Sequence, residues 1–254
     1  MHIRILGCGP SYGIPSIRYQ FEVCDGSVPE NTRLRSSILI QHEKGNLLID
    51  TGPDLRTQII RAGYPYVDAV LYTHDHYDHM GGATDLNGYF TVTRKTIPVY
   101  GVKKDLERLK EIVPYMMKEH CPEYYLETHP IVPYRPFEIN GIPIVPILQR
   151  HGVGHSIGYK IGNDFAYSTD VSKISPKGFE MLKGIKTWVL GVGVKDYRDH
   201  CPHLSLGEAL IWIEKVKPQR AVITHMGGKL DYRQLQSLLP SYVKPAYDGM
   251  EFDV

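Results

Sequence analysis

The segment 74–79, with the sequence HDHYDH, places three histidines and two aspartates within six residues. Neutral imidazoles bind Zn, Mn or Fe, and carboxylates bind harder cations, so these residue types favour a metal site over a solvated polar loop. In an extended turn, His74 and His76 point to the same side and can hold one ion. Asp78 and His79 can then reach a second position. The segment therefore predicts two neighbouring metal positions.

The remaining residues of this segment are ambiguous. Asp75 and Tyr77 alternate with the two histidines, so each either supports the site from behind or is exposed to solvent. The next glycines, Gly81 and Gly82, predict that a helix starts close to the site, because they permit close approach of the backbone.

One loop cannot complete two metal positions, so further ligands must come from elsewhere in the chain. His151, Asp170 and His225 each follow an apolar run that is typical of a strand. Functional sites of layered α/β folds gather at such strand ends, which makes these three residues the candidate ligands. His155 is an alternative to His151. The other histidines considered, His42, His120 and His129, have no such context and are predicted to be surface residues.

The chain has 254 residues, a formal net charge of +1, 42% hydrophobic residues and 22% charged residues. This composition is typical of a globular protein and does not indicate a surface that binds polyanions. No apolar run reaches the length of a membrane span, and the start of the sequence has no signal-peptide pattern. The four cysteines (Cys8, Cys24, Cys121 and Cys201) are scattered. We therefore expect a cytoplasmic protein with reduced thiols and no membrane contact.

The elements that must position these ligands are short strands followed by helices. Strands are predicted at 1–6, 37–41, 46–50, 69–72, 144–148, 159–161, 165–168, 187–191 and 221–224. Helices are predicted at 54–62, 206–216 and, interrupted by Pro114, 103–118; the prolines of 131–148 favour edge strands and loops. Strand runs followed by a helix occur twice along the chain, which indicates an α/β fold in which two packed sheets are covered by helices. No linker divides residues 1–254 into separate domains.

The order His-x-His-x-Asp-His, then His, Asp and His, resembles the metallo-β-lactamase superfamily over nearly the whole chain. The resemblance implies a four-layer αββα sandwich. It also implies that His74, His76 and His151 hold one metal ion, that Asp78, His79 and His225 hold another, and that Asp170 bridges the two. Asp50, in the segment LLIDTG, matches an aspartate that supports the site from behind the ligands.

A bridging aspartate has a chemical consequence. Two cations roughly 3.5–4 Å apart share a water molecule and lower its pKa, so the resemblance implies a hydroxide nucleophile between two Zn or Mn ions. The β-lactamase branch generally lacks an aspartate at the position of Asp170, which disfavours antibiotic hydrolysis. Asp78 and Asp170 are accordingly expected among the catalytic residues.

Three further segments narrow the substrate: GCGPSYGIP at 7–15, HCPHLSL at 200–206 and AYDGME at 246–251. Together they resemble the phosphodiesterase branch that contains the phosphoribosyl cyclic phosphodiesterase. The branch implies a small cyclic phosphodiester as substrate and a homodimer as assembly. It also implies that a histidine before a helix contacts the phosphate or protonates the leaving oxygen. His203 matches that histidine best, and His200 is the alternative.

The chain departs from this branch at one point. The phosphoribosyl enzyme carries a structural zinc on three N-terminal cysteines and a histidine shortly after the last ligand. Here the N-terminal region offers only Cys24, and Gly228 stands at the late position. We therefore expect no structural zinc.

Three other functions are alternatives to a cyclic phosphodiesterase. A tRNA 3′-processing endonuclease of the same superfamily requires a basic RNA-gripping arm, which the sequence does not show, so extended nucleic acid is not expected as a partner. A glyoxalase-type thioester hydrolase requires a helical domain after the last ligand, and we expect too little chain there. A metal-binding scaffold without activity is a further alternative. The residues that bind the rest of the substrate stay open, with Tyr19, Arg198 and Lys229 as candidates.

Overall fold

The computed structural model describes residues 1–17, 20–118, 120 and 123–254, so the candidates Tyr19 and Cys121 lie outside the described residues. In chain order, the strands are β1 (His2–Gly7), β2 (Ser37–His42), β3 (Gly45–Ile49), β4 (Ala69–Leu71), β5 (Ile97–Val102), β6 (Leu126–Ile131), β7 (Phe137–Ile139), β8 (Ile142–His151), β9 (Gly154–Ile161), β10 (Phe165–Ser168), β11 (Lys173–Ile174), β12 (Thr187–Gly191), β13 (Arg220–Thr224), β14 (Val243–Pro245) and β15 (Glu251–Asp253). The helices are α1 (Leu55–Arg61), α2 (Tyr77–Met80), α3 (Asn87–Thr93), α4 (Lys103–Ile112), α5 (Pro176–Leu182), α6 (Leu206–Val216) and α7 (Tyr232–Leu238). Short 3₁₀ turns cover Pro29–Asn31, Ala83–Leu86 and Pro114–Met116.

The strands form two mixed sheets. The first has the order β15-β1-β2-β3-β4-β5-β6, and the second has the order β11-β8-β9-β10-β12-β13-β14, with β7 also paired to β8. Strands β3 to β6 are parallel, and so are β10, β12, β13 and β14. Parallel strands end at the same edge of a sheet, so the turns after β3, β4, β10 and β13 can meet.

Alternation along the strands of the first sheet separates two apolar layers. Ile38 and Ile40 pack between the sheets with residues of the second sheet, whereas Leu39 packs on the outer face with α1 and α4. On the far side of the second sheet, α6 contributes Ala209 and Ile213 to the buried core. The order helix, sheet, sheet, helix is the predicted four-layer αββα sandwich, which is confirmed.

Several predicted element boundaries differ from the structure. The segment before His151 is a ten-residue strand, β8, which contains Pro143 and Pro146. Pro143 is tolerated because it precedes the first β8–β9 pair at Ile144, and Pro146 because it faces the side of β8 that β7 and β11 cover only at the two ends. The helix of 103–118 is interrupted as predicted, since α4 ends at Ile112 and a 3₁₀ turn begins at Pro114. Strands β5 and β6 were not predicted.

The helix predicted close to the site beside Gly81 and Gly82 is α2, which includes Asp78 and His79 and ends at Met80, immediately before these glycines. The glycines have another use. A Cβ atom at Gly82 would lie 2.1 Å from the carbonyl oxygen of Gly52, and the Gly82 amide donates to the Thr51 carbonyl over 2.8 Å. The glycines therefore let α2 close tightly onto the turn that follows β3.

Candidate metal centre

Three strand ends place polar side chains at one edge of the two sheets. Asp50 follows β3, Asp170 comes shortly after β10, and His225 follows β13. All three have left-handed backbone conformations, with φ of 64°, 49° and 56°. Such conformations are costly for residues other than glycine and concentrate at functional sites. The backbone therefore turns sharply at each point and leaves the side chain at the sheet edge.

The first cluster contains His74, His76 and His151, whose ring nitrogens lie within 4.8 Å of one another. His74 Nδ1 lies 3.0 Å from the Thr73 hydroxyl, and His151 Nδ1 lies 3.0 Å from the Pro202 carbonyl. Each ring is thus held by one nitrogen, which leaves the other free to face the cluster. His74 Nε2 is buried there without a hydrogen-bond partner. Metal-binding histidines are oriented in this way by an outer partner.

The second cluster contains Asp78, His79 and His225, again within 4.8 Å of one another. His79 Nε2 lies 3.0 Å from Asp78 Oδ2, and His225 Nε2 lies 3.8 Å from the same oxygen. Both ring nitrogens are buried and make no hydrogen bond. Asp50 stands behind this cluster, where its carboxylate accepts hydrogen bonds from His79 Nδ1, the Thr73 amide and the Thr73 hydroxyl, all over 2.8 Å.

Asp170 lies between the two clusters. Its Oδ2 atom is 3.0 Å from His79 Nε2 and 3.2 Å from His225 Nε2, on the side of the second cluster. Its Oδ1 atom is 3.6 Å from His151 Nε2, on the side of the first. The Thr169 hydroxyl donates to Oδ2 over 2.8 Å and fixes the carboxylate. One carboxylate therefore faces both candidate metal positions with a different oxygen.

The electrostatics of the centre favour a cation. Burial raises the pKa of Asp170, but the nearby His225 and His79 outweigh burial and hold that pKa well below its usual range. Burial lowers the pKa of His79, yet the carboxylates of Asp170, Asp78 and Asp50 together raise it well above its usual range. Three carboxylates thus converge on one buried ring, a concentration of negative charge that divalent cations neutralise.

The donor set fits divalent metal ions. Buried ring nitrogens of His74, His79 and His225 have no hydrogen-bond partner among the described residues. Buried polar atoms need a partner, and a metal ion can be that partner. Imidazole ligands suit Zn and carboxylate ligands suit Mn, so this mixed donor set accepts either ion. The structure thus brings all seven predicted ligands into two adjoining clusters, with Asp50 behind them as the sequence predicted.

His203 lies beside both clusters, in the segment that leads into α6. Its Nδ1 atom is 3.4 Å from Asp170 Oδ1, and its ring is 5.0 Å from the His151 ring and stacked on the His225 ring at 4.9 Å. Burial, reinforced by the charge of His225, lowers the pKa of His203 to about 3. His200 lines the same cavity of about 350 Å³ but is exposed. Of the two predicted histidines, the structure brings only His203 against Asp170.

The alternatives raised by the sequence have other positions. His155 lies 3.2 Å from Asp105 on α4 rather than in a cluster, and Asp75 lies 3.8 Å from the Lys104 ammonium. Tyr77 is exposed. These contacts place none of the three in the metal clusters formed by the described residues.

A cavity of about 660 Å³ is lined by Gly193, which packs against His203, and by Gly227, two residues after His225. Arg198 lines this cavity and the one beside His203, and Lys195 and Lys229 line the larger cavity. Two of these cations were candidates from sequence; Lys195 was missed because a lone lysine carries no motif. The Cys24 thiol donates to the Gly228 carbonyl over 3.2 Å, so the two positions compared for a structural zinc are adjacent.

Comparison with known proteins identifies the family. Residues 45–226 match the family model described as a beta-lactamase superfamily domain. The chain belongs to the metallo-β-lactamase superfamily. A solved structure described as a new diphosphatase from the PhnP family is 30% identical, with a TM-score of 0.89 over 100% of this chain and 97% of that chain. The superfamily assignment and the resemblance to the PhnP branch are thereby confirmed.

Three further proteins extend the comparison. Zinc-bound PqqB from Methylobacterium extorquens is 18% identical, with a TM-score of 0.85 over 100% of both chains, and shares the fold. An octanoyltransferase from Porphyromonas gingivalis is 29% identical over 99% of this chain but 51% of that protein. Ribonuclease Z from Clostridium kluyveri is 26% identical over 65% of this chain and 52% of that protein. The chain therefore spans about half the length of the curated relatives it matches.

The described residues contain no helix that is both long and apolar enough to cross a membrane.

Proposed function

We propose that this protein is a metal-dependent phosphodiesterase that opens a small cyclic phosphate with two divalent cations, Zn or Mn. The observation that carries the proposal is the position of Asp170, whose two carboxylate oxygens face the two clusters separately. A shared carboxylate keeps two cations close enough to act on one phosphate. When bound, such cations activate water as a nucleophile and neutralise charge on the phosphate.

The protein's own residues hold the two positions. His74, His76 and His151 would bind one cation, and Asp78, His79 and His225 would bind the other. The hydroxyl of Thr73, the carbonyl of Pro202 and the carboxylate of Asp50 orient three of these rings. Because these partners are buried, little rearrangement is needed when the ligands act.

His203 is placed to act on the substrate. Its low pKa keeps the free imidazole neutral at physiological pH, so one ring nitrogen carries a hydrogen that it can donate to a phosphate oxygen. The ring lies beside Asp170, where both clusters meet, and its side chain is 25% exposed towards the cavity. It can therefore orient the phosphate and, by donating a hydrogen bond, stabilise the charge that develops on the departing oxygen.

The cavities support a small anionic substrate. Volumes of about 660 and 350 Å³ are typical of sites for small molecules. Five cations line them, namely Arg150, Lys173, Lys195, Arg198 and Lys229, together with the carboxylates of Glu22, Asp196, Asp199 and Glu208. A net charge of +1 over the whole chain gives no long basic surface for extended nucleic acid. The charge therefore favours a compact phosphate ester over tRNA.

The relatives agree with phosphate chemistry. The PhnP-family structure is described as a diphosphatase, and another relative is named as a ribonuclease, ribonuclease Z. The octanoyltransferase name belongs to a protein about twice as long as the matched region, so transfer of an octanoyl group is not assigned to this chain. A scaffold without activity is disfavoured because every ligand position is filled.

A phosphodiesterase assay tests the proposal. Purified protein freed of metal with a chelator should be inactive on bis(p-nitrophenyl) phosphate and on phosphoribosyl 1,2-cyclic phosphate, and added Mn²⁺ or Zn²⁺ should restore turnover. Asp170→Ala should lower turnover by about 100-fold or more, since the shared ligand is lost. Asp164→Ala, at a surface ion pair with Lys186, is the matched control. The proposal fails if the wild-type protein shows no metal-dependent turnover of any phosphodiester.

A further inference from the structure

Arg33 is a buried charge that the proposed chemistry does not use. It lies between the 3₁₀ turn Pro29–Asn31 and β2, and its side chain is 1% exposed. Its own backbone is fixed, because Arg33 and Ile14 exchange amide–carbonyl hydrogen bonds of 2.8 and 2.9 Å. A guanidinium so deeply buried is retained only where its hydrogen-bond donors are satisfied.

Five oxygen atoms accept hydrogen bonds from this guanidinium, which matches its five N–H donors. Nε donates to the Glu30 carbonyl over 3.2 Å, and Nη2 donates to Asn31 Oδ1 over 2.9 Å. The other three acceptors lie about 200 residues away in the chain. They are the carbonyls of Met226, Gly227 and Leu230, at 3.3, 3.5 and 2.7 Å.

These three carbonyls belong to the loop directly after the ligand His225. The backbone of His225 is left-handed, so the chain turns abruptly there and cannot be held by continued pairing of β13. The loop instead closes around the guanidinium. A planar fork can bind several carbonyls at fixed angles, which the compact ammonium of lysine cannot reproduce.

The hydrogen bonds from the Arg33 guanidinium to loop 226–230 form a clamp, and contacts of neighbouring residues complete it. Asn31 Nδ2 donates to Asp231 Oδ2 over 2.7 Å, and the Asp25 amide donates to the same oxygen over 3.0 Å. The Tyr232 amide donates to Asn31 Oδ1 over 2.9 Å. The N-terminal segment is thereby locked to the chain on the far side of the loop as well.

We propose that Arg33 is a positioning residue that sets the place of His225, and with it the second metal position, by holding the loop 226–230. The inference rests on the proposed two-metal function. Arg33 touches neither cluster and acts only through the backbone. The first cluster has no member in this loop, so loss of the guanidinium should affect the two metal positions unequally.

Metal titration of the Arg33→Lys variant tests this role. Metal-free wild-type protein titrated calorimetrically with Mn²⁺ should bind two ions per chain. Arg33→Lys should bind one ion with wild-type affinity and the other about 10–100-fold more weakly, as is typical when a ligand loses its outer support. Arg108→Lys, in an exposed pair with Glu111, is the matched control and should bind both ions normally.

Amide hydrogen exchange of the metal-free proteins gives a second readout. In the wild type, the Met226 amide donates to the Cys8 carbonyl and the Leu230 amide donates to the Gly227 carbonyl, both within the clamped region. These amides should exchange at least about 10-fold faster in Arg33→Lys, while the amides of 74–79 keep their rates. If Arg33→Lys does not fold, Arg33→Gln, whose shorter planar amide keeps two N–H donors but cannot reach all three distant carbonyls, serves in both experiments.

The outcomes separate this inference from the proposed function. A folded variant that binds both ions as the wild type does, or weakens both equally, overturns the positioning role. Unchanged exchange at Met226 and Leu230 overturns it as well. If the wild type binds no metal, the proposed two-metal function fails, and the exchange rates still show whether Arg33 holds the loop.

Discussion

His79 Nδ1 donates a hydrogen bond to Asp50 Oδ2 over 2.8 Å, and both side chains are fully buried. The same carboxylate also accepts from the amide and hydroxyl of Thr73. All its strong contacts are therefore donors, and the imidazole it holds presents Nε2 towards Asp78 and Asp170. The contact links the turn after β3 to the proposed second metal position.

Asp50→Asn should weaken metal binding. An amide must place its NH₂ group against either Thr73 or His79, both of which are donors, so the ring loses its fixed orientation. We expect affinity for Mn²⁺ to fall about 10–100-fold at the second position, measured by calorimetric titration. Asp68→Asn, at a carboxylate that accepts the Asn46 amide, is the control. Wild-type affinity in Asp50→Asn would exclude the orienting role.

His203→Ala should separate metal binding from turnover. The residue contributes to no strand or helix, and the proposed cations are held by the six ligands of the two clusters and by Asp170, not by His203. We expect both ions to bind, as counted by atomic emission, while kcat on a cyclic phosphodiester falls about 100–10,000-fold. His200→Ala, at an exposed position on the same cavity, should lower kcat by less than about 10-fold. A larger loss of kcat in His200→Ala than in His203→Ala would mean that His200, not His203, acts on the substrate.

The local parts of this site could be predicted from sequence. The density of ligand residues in 74–79 indicated metal binding directly, and His151, Asp170 and His225 were found because each follows an apolar strand. The bridging role of Asp170 came only from the family resemblance, since spacing cannot tell which oxygen faces which cluster.

The missed features depend on contacts between distant segments. The clamp of Arg33 joins residues separated by 193 to 197 positions, and a single arginine before a strand carries no sign of such partners. The close approach of Gly82 to Gly52 is likewise visible only in the packed turn. Strand β5 was missed because Pro98 and Gly101 interrupt its apolar run, whereas the uninterrupted runs of β4 and β12 were predicted.

The contact between His155 and Asp105 predicts a pH-dependent stability. The hydrogen bond to Asp105 is the main cause that raises the pKa of His155 above the reference value of 6.5. A raised folded pKa means that the stabilisation is fully present below the unfolded value and is lost as pH rises through the folded value. The window therefore opens near pH 6.5 and extends upwards.

His155→Gln should remove the pH-dependent stabilisation that the contact with Asp105 provides. We expect the free energy of unfolding of metal-free protein to fall by about 1–2 kcal/mol relative to wild type at pH 6, and by clearly less at pH 9. Urea unfolding at several pH values measures the difference. His120→Gln, at an exposed position, should track the wild type throughout. A difference between His155→Gln and wild type that stays constant with pH would contradict the assignment.

Ser205 links the stability of α6 to the position of His203, two residues earlier. The Ser205 hydroxyl accepts from the Glu208 amide, and the Glu208 carboxylate accepts from the Ser205 amide over 3.0 Å, which forms a capping box. The Leu204 amide also donates to the Val171 carbonyl over 3.0 Å, next to Asp170. The cap thus fixes the segment that carries His203 against the strand end that carries Asp170.

Ser205→Ala should cost about 1 kcal/mol in the free energy of unfolding, as is usual for loss of an N-cap. It should also lower kcat on the order of 10-fold, because a small displacement of His203 disturbs its hydrogen bond to the phosphate. Ser175→Ala is the matched control, since Ser175 caps α5 by accepting from the Gly178 amide over 3.1 Å at a distance from the centre. It should lose similar stability and keep wild-type kcat. Equal kcat in the two variants would mean that the cap of α6 stabilises the fold without positioning His203.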